Sequence, residues 1–477
     1  MTHTPTTNPH KTCPPVHEHH KNKNETDAFY ARLFAQNERV IKLGLDAMHQ
    51  ALAREPQLVN YPHILVAGTN GKGQVSALFS NAVQSLGLLP GLYTSPHLVD
   101  FRERIRVGGR MIPVSEMVAI GRRVLSEYGG DDNPDFSGLT LTYFECCLIM
   151  ALRFFRRSNI QFGVFEVGLG GRLDATNVLS PSMSIITSIG HDHEQYLGHT
   201  LEAIAHEKAG IMRKGCPVVV GRTCVETLRR EALEHGCSAF HALGVDFDWR
   251  CDDDGFRLVT DDDTIPMQGG EELARFQRDN AAVAAFALLS AARMGWFKGN
   301  VREVLRNLIV QTKWVGRMWP CSETTARALR VSHLIMDGAH NPDGVESFCN
   351  AVPTKAPRRT TRALVVNSCG DKDIEAMFPR YLDVFDPERI FVSPITSSPR
   401  GCSPSDYCTR TGLEPSRACA SLDEAIRRAA QAVGEDGTIF ISGSLYLIGD
   451  AIRCLGETSN LESVRTMSDE PAPHVRG

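Results

Sequence analysis

Residues 68–73 read Gly68-Thr69-Asn70-Gly71-Lys72-Gly73, a lysine set among three glycines. Glycines let successive backbone N–H groups turn towards one anion. A helix starting here would add the positive end of its dipole to the full charge of Lys72. Chemistry that handles phosphate needs this combination. The spacing departs from the general G-x-x-x-x-G-K-[ST] pattern, because Val66 stands where its first glycine would be and Gly73 where its hydroxyl would be. The stretch is therefore a shortened phosphate loop or a plain strand–turn–helix. Three more polar groups have comparable surroundings. Ser95 follows the short run 91–94, Glu166 lies near the end of the apolar run 162–167, and His193 belongs to His191-Asp192-His193-Glu194 after the run 183–187. A hydroxyl, a carboxylate and an imidazole beside phosphate oxygens suit magnesium, which takes oxygen ligands and keeps several waters. Plainer readings stand beside them: a turn serine before Pro96 and a polar loop at 191–194. Glu166 is harder to read that way, since an unpaired carboxylate on a buried strand is costly.

The elements that must position these groups are written in the hydrophobic pattern. Ile64, Leu65, Val66 and Ala67 make a buried strand, and Val75, Leu78 and Phe79 follow at helical spacing. Strands at 91–94, 162–167 and 183–187 alternate with helices at about 114–128 and 141–157, and with one from Thr200 to Met212 carrying Glu207 and Lys208. Such alternation predicts a mostly parallel sheet covered on both faces, which gathers ligands at the carboxyl ends of its strands. All four candidate groups fall there. Residues 238–270, short, polar and Asp-rich, predict a small antiparallel excursion. Helices near 276–293 and 301–311 lead to Trp314-Val315-Gly316-Arg317-Met318-Trp319-Pro320. A second alternating series has strands near 332–336, 362–367, 389–393 and 437–442. The predicted division is a disordered tail over 1–25, a phosphate-binding domain over 26–318, a linker over 319–328, a second domain over 329–457 and a disordered tail over 458–477. Lys208 reads as a solvent-exposed lysine. Arg317 reads as a stacked surface arginine or a stabiliser of phosphate charge at the domain junction. Asp337-Gly338-Ala339-His340-Asn341-Pro342 is a strand-to-helix turn and equally a place for ligands.

Composition narrows the field. The 477 residues are 42% hydrophobic and 22% charged, enough for about two to three domains with real cores. A net charge of −5 gives no global basic field, so neither nucleic acid nor a membrane surface is an expected partner. No stretch reaches the roughly 18 uninterrupted apolar residues of a membrane span. The N-terminus has no apolar core for a signal peptide. The 14 cysteines are scattered without paired C-x-x-C motifs, which predicts reduced thiols and a cytoplasmic protein.

Seven segments together carry a resemblance. GTNGKG at 68–73, SPHL at 95–98, LTYFE at 141–145, EVGLGGRLDATN at 166–177, TSIGHDH at 187–193, EKAGI at 207–211 and DGAHNP at 337–342 occur in the order and spacing of one family. The chain resembles the folylpolyglutamate synthase/dihydrofolate synthase family of the Mur ligase superfamily, in its bacterial form, over about residues 27–456. The resemblance implies an α/β, Mur-ligase-like fold, in which a P-loop parallel-sheet ATPase domain precedes a smaller Rossmann-like α/β domain. It implies ATP-dependent ligation of L-glutamate to a folate-type carboxylate through an acyl phosphate, with tetrahydrofolate or dihydropteroate as acceptor, Mg2+ as cofactor and a monomer as the working unit. By the same resemblance Thr69, Asn70, Gly71, Lys72 and Gly73 hold the ATP phosphates, and Asn280, Arg317 and Asp337 make further ATP contacts. Ser95, Glu166 and His193 are implied metal ligands, and Lys208 matches a lysine that is carbamylated in the family. Lys72, Lys208 and His193 are thereby the implied catalytic groups. Leu141, Thr142, Tyr143 and Phe144, with Leu173, Asp174 and Ala175, match the pterin region. His340 and the segment from Ser397 to Arg400 match the surroundings of the glutamate. One departure bears on chemistry. Gln74 stands where the family has Ser or Thr, whose hydroxyl contributes to the magnesium site. Two alternatives follow: a nucleotide-binding protein with weak or lost ligase activity, or another Mur-type amide ligase.

Overall fold

The computed structural model describes residues 16–35, 44–130, 136–356 and 360–465. The described chain falls into two compact units, one drawn from Met1–Lys42 and Pro113–Phe154, the other from Leu43–Ile112 and Phe155–Gly477. The first is helical. Phe29 and Leu33 on the helix Val16–Ala35 and Met117, Ile120 and Val124 on Val114–Tyr128 are buried, at the three- and four-residue spacing of an apolar stripe. Gly121 lets the two helices meet closely, since a Cβ there would stand 2.2 Å from the Phe29 ring.

The second unit is built on an eight-stranded sheet. Its strands are β1 (His63–Ala67), β2 (Pro90–Tyr93), β3 (Ile105–Val107), β4 (Arg110–Met111), β5 (Phe162–Glu166), β6 (Met183–Ile186), β7 (Pro217–Val220) and β8 (Ala239–Ala242), in the order β4-β3-β2-β5-β1-β6-β7-β8. From β2 to β8 in that order neighbouring strands pair in parallel, and only the pairs β2–β3 and β3–β4 are antiparallel. The central strands are continuous apolar runs because both faces are covered. Ile64, Val66, Val164, Ile185 and Val219 face a core shared with the helices Lys72–Ser85 and Arg275–Arg293. Leu65, Phe165 and Ile186 alternate with them and are equally buried on the opposite face. The order places β2, β5, β1 and β6 side by side, so the segments after their carboxyl ends are neighbours.

The expected antiparallel excursion is present as β9 (Phe247–Asp252), β10 (Gly255–Thr260) and β11 (Thr264–Pro266). Residues 239–242, expected within it, instead extend the main sheet.

A second sheet contains β12 (Trp319–Pro320), β13 (His333–Asp337), β14 (Arg362–Val366), β15 (Ile390–Val392) and β16 (Thr438–Ser442), in the order β12-β13-β16-β14-β15. Ile335, Leu364, Val366 and Phe440 face the helices Pro342–Lys355 and Ile374–Leu382. Leu334, Met336, Val365 and Ile441 face Leu422–Val433 and Leu445–Cys454.

Three expected boundaries move. The supposed linker 319–328 belongs to this second layer: Trp319 and Pro320 pair with Met336 and Ile335, and Ser322 caps the helix Glu323–Ala328 through Thr325 N–H. The polar run that reads as a linker is a helix cap. The expected tail 1–25 is helical from Val16, while residues 1–15 lie outside the described residues. The expected tail 458–477 continues as ordered chain to Arg465, because Leu461 and Val464 are buried at 5% and 3% exposure. Residues 466–477 lie outside the described residues.

Candidate active site

The loop after β1 closes against the loop after β6. Gly68, at φ +146°, lies so near Thr187 that a Cβ would stand 1.9 Å from its Oγ1. Thr69 N–H donates to the Ser188 carbonyl at 2.7 Å, and Asn70 N–H to Ser188 Oγ at 3.0 Å. Thr187 Oγ1 donates to the Asn70 carbonyl at 2.6 Å. Gly71, at φ +89°, is the N-cap of the helix Lys72–Ser85 and offers no side chain to the first-turn N–H groups. Those amides are the part of the loop open to an anion.

Two lysines converge on one carbonyl. Lys72 Nζ donates to Gly68 O at 3.0 Å and Thr69 O at 3.1 Å, and Lys208 Nζ donates to Gly68 O at 3.0 Å. Lys208 is 3% exposed, so the reading of it as a surface lysine is overturned. It is carried by Leu201–Ala209, capped by Thr200 Oγ1 on Ala203 N–H. Burial pushes its ammonium down to about 7, and the neighbouring charge of Lys72 pushes the same way. Burial also lowers Lys72, against the pull of Glu166 and Asp192.

Glu166 ends β5 at 4% exposure. Ser95 N–H donates to its Oε2 at 2.9 Å. Burial pushes the carboxyl up to about 7, although Lys72 and the Ser95 amide favour the ionised form. Its Oε1 takes no hydrogen bond among the described residues. His193 begins the short helix Glu194–Leu197 with left-handed backbone, φ 52°. Burial holds its imidazole below the ordinary range. Among the described residues no three His, Cys, Asp or Glu side chains form a ready cage for a metal. A hydroxyl, a half-satisfied carboxylate and an imidazole at neighbouring strand ends fit an ion that completes its shell with phosphate oxygens and water.

The loop after β13 meets these loops directly. Asn70 and Asn341 exchange amide hydrogen bonds at 3.2 Å in each direction. Asn341 also donates to Asp192 Oδ2 at 3.0 Å, and His191 N–H donates to Asp343 Oδ2 at 2.9 Å. Lys372 forms an ion pair with Asp192 Oδ1 at 2.7 Å, and His340 Nε2 lies 3.8 Å from its Oδ2. Burial pushes Asp192 up, but His193, His340 and Lys372 together hold it well below the usual carboxylate range. Burial pushes His340 down to about 4. Asp337 is buried and accepts from Met318 N–H and Ala339 N–H, both at 2.8 Å. It thereby holds the turn carrying Arg317, whose carbonyl also accepts from Gln277 Nε2 at 2.9 Å.

Comparison with known proteins decides the family. A Mur ligase middle domain matches residues 140–245. Bacillus subtilis dihydrofolate synthase/folylpolyglutamate synthase is 30% identical over 427 residues, 86% of this chain and 94% of its own length. The chain belongs to the dihydrofolate synthase/folylpolyglutamate synthase family. Escherichia coli FolC in complex with DHPP and ADP superposes with a TM-score of 0.76 at 27% identity, covering 91% of this chain and 98% of that one. A bifunctional folylpolyglutamate synthase/dihydrofolate synthase with Mn, AMPPNP and L-glutamate bound gives 0.73 at 27% identity, covering 90% and 98%.

Within this synthase frame the remaining candidates fall in two places. Leu141, Thr142, Tyr143 and Phe144 lie in the helical unit. Leu141 is buried, Thr142 N–H is capped by Glu145 Oε2 at 2.7 Å, Tyr143 stacks on Phe34 with ring centres 6.0 Å apart, and Phe144 is 43% exposed. Leu173, Asp174 and Ala175 lie in the other unit. Asp174 is a clamp: it accepts from the N–H groups of Gly168, Leu169 and Thr176 and from Thr176 Oγ1. Leu173 borders a small cavity of about 50 Å³ with Leu169, Arg172, Tyr196 and Glu207. Gln74 is buried, and its Oε1 accepts from Asn280 Nδ2 at 2.8 Å. Sequence reasoning named Asn341 only as part of the turn 337–342 and passed over Asp343 and Lys372. Gly370-Asp371-Lys372, placed after the end of β14, was the available signal for Lys372.

Proposed function

We infer that this chain catalyses ATP-dependent attachment of L-glutamate to the carboxylate of a folate-type pterin through an acyl phosphate, and that it accepts both dihydropteroate and reduced folates. The observation that carries this reading is the convergence of Lys72 and Glu166, which follow and end adjacent strands, with Lys208 reaching the Gly68 carbonyl from the helix Leu201–Ala209, and with the loop that bears Asn341 and His340 bonded to the same phosphate loop. Phosphoryl transfer asks the protein for positioning and charge neutralisation more than for covalent chemistry. The first-turn amides of Lys72–Ser85 and the Lys72 ammonium bind the phosphates. The substrate carboxylate attacks the γ-phosphorus and ADP leaves; the amine of L-glutamate then attacks the acyl carbon, forming the amide bond as inorganic phosphate and a proton leave. Arg317, whose guanidinium has no hydrogen-bonded partner among the described residues, is held by Asp337 where it can meet phosphate charge. Burial keeps His340 neutral at physiological pH, so it presents an uncharged imidazole to the incoming glutamate. Ser95, Glu166 and His193 would hold a magnesium ion, which when bound neutralises phosphate charge. We assign the working form as a cytoplasmic monomer.

Lys208 is proposed to be carbamylated. An amine titrating near 7 is substantially neutral at physiological pH, and its lone pair adds to carbon dioxide with release of one proton. The carbamate replaces the crowded Lys208 amine with a negative charge beside the Lys72 ammonium. Its formation rises as pH increases through about 7, where the amine loses its proton, and falls below it. Enzyme kept in CO2-free buffer is expected to lose most of its turnover and to regain it on addition of bicarbonate. Lys208→Ala is expected to be insensitive to bicarbonate and partly rescued by short-chain carboxylates. Full turnover without bicarbonate would remove the carbamate from the scheme.

The direct test of the function is phosphate release from ATP in the presence of L-glutamate, with dihydropteroate and tetrahydrofolate offered separately and products weighed by mass spectrometry. Release requiring both glutamate and a pterin acid is the expected result. No release with any pterin acid would overturn the reading.

A further inference from the structure

Gln74 lies in the first turn of Lys72–Ser85, and Asn280 lies on the helix Arg275–Arg293 that packs against it. Each is 8% exposed, too little for water to satisfy two carboxamides freely. The bond between them, Asn280 Nδ2 to Gln74 Oε1 at 2.8 Å, is a buried side-chain contact between the two helices. It also has a direction. The Asn280 carboxamide is held against the exit of the phosphate loop, so near that a Cβ on Gly71 would stand 2.3 Å from Oδ1 and 2.8 Å from Nδ2. Trp314 closes the same corner from the other side, 2.5 Å from where a Cβ on Gly73 would be. Gln74 reaches Asn280 from the third position of its helix and uses its one acceptor in doing so.

We propose that Gln74 is a positioning residue for the nucleotide: it holds the Asn280 carboxamide at the mouth of the phosphate loop and takes no part in holding a divalent ion. This rests on the reading of the loop as an ATP site. Losing Gln74 then weakens nucleotide binding by the same factor whether or not magnesium is present. Losing Asn280 has the same effect, and losing both costs no more than losing one.

The test is calorimetric titration of the full chain with ADP, with and without magnesium, for wild type, Gln74→Leu, Gln74→Ser, Asn280→Leu and the double variant Gln74→Leu/Asn280→Leu, with thermal melting run alongside. The expected result is a Kd for ADP raised about tenfold in every variant, equal in both buffers and not additive in the double variant. A loss confined to magnesium buffer would make Gln74 a metal-site residue and overturn the proposal. So would additive losses, or unchanged Kd values with only the melting temperature lowered. Gln74→Ser covers the case in which the leucine variant fails to fold. Wild type that binds ADP but releases no phosphate would count against the ligase reading alone. Wild type that does not bind ADP would sink both.

Discussion

Lys72→Met lowers kcat for ATP-dependent phosphate release by about 10²–10³, with the protein still folded. Methionine keeps the length and the apolar stem of the side chain, so packing around the helix start is preserved. What disappears is the ammonium that binds Gly68 O and Thr69 O at 3.0 and 3.1 Å. Three losses coincide. The phosphates lose a full positive charge inside a water-poor loop, where Coulomb terms are largest. Glu166, already pushed up to about 7 by burial, loses its principal counter-charge and shifts further towards the protonated form. Lys208 loses the neighbour that lowers it, so its amine is more often charged and less ready to react with carbon dioxide. The measurement is steady-state kcat with a parallel melting curve. A variant that keeps more than about a tenth of wild-type kcat would mean that the loop amides and Arg317 bind the phosphates by themselves.

Arg106→Met lowers the free energy of unfolding by about 2–4 kcal/mol and frees the C-terminal segment. Arg106 lies on β3 at 4% exposure. Its guanidinium donates to Glu103 O at 3.2 Å, Gly109 O at 3.4 Å, Leu461 O at 2.7 Å and Glu462 O at 3.3 Å. Two of those acceptors belong to the segment that leaves the second layer and returns to the first. Leu461 packs in the core beneath Leu445–Cys454, while Val464 packs in the core of the eight-stranded sheet. Val464 N–H donates to Gly109 O at 3.2 Å, and Lys313 N–H donates to Val464 O at 2.8 Å. The segment is thus a strap across the junction between the two sheets, and Arg106 is its buried anchor. Removing the guanidinium takes their donor from Leu461 O and Glu462 O, while Gly109 O keeps the Val464 N–H and Glu103 O keeps Thr94 Oγ1, so the loss falls on the strap. Urea denaturation gives the stability, and limited proteolysis reports whether residues 458–465 become accessible. An unchanged midpoint with the segment still protected would show that Val464 and Leu461 hold the strap without the arginine.

The placement of the candidate groups at strand ends was legible in the sequence for one physical reason. A parallel strand covered on both faces must be a short apolar run, and its carboxyl end must break into polar residues. Reading those breaks placed Lys72, Ser95, Glu166 and His193 at strand ends without any knowledge of the sheet. What the pattern could not supply was the strand order. Only the order β2-β5-β1-β6 makes those four ends adjacent, and that order is a matter of long-range pairing that no local window contains. Lys208 shows the same limit from the other side. Helical spacing says which way a lysine points along its own helix but not what packs against it, and here its ammonium meets the Gly68 carbonyl of a distant turn.

The misplaced boundaries share a cause. Ser322 with its acidic and threonine neighbours, and the run from Thr458 to Arg465, are polar in composition, so a window average reports linker or tail. One capping serine and two apolar side chains, Leu461 and Val464, are enough to order them because partners were waiting elsewhere: Glu457 for Ser322, Arg106 for the strap backbone. By itself the sequence determined the strand and helix periods, the polar breaks and the kinds of side chain available for phosphate, carboxylate and amine chemistry. The tertiary structure decided which of these share a site. Local periodicity is set by neighbours along the chain, whereas the burial of Lys208, the linkage of Asp192 to Lys372 and the capture of Gln74 by Asn280 are set by elements tens to hundreds of residues away.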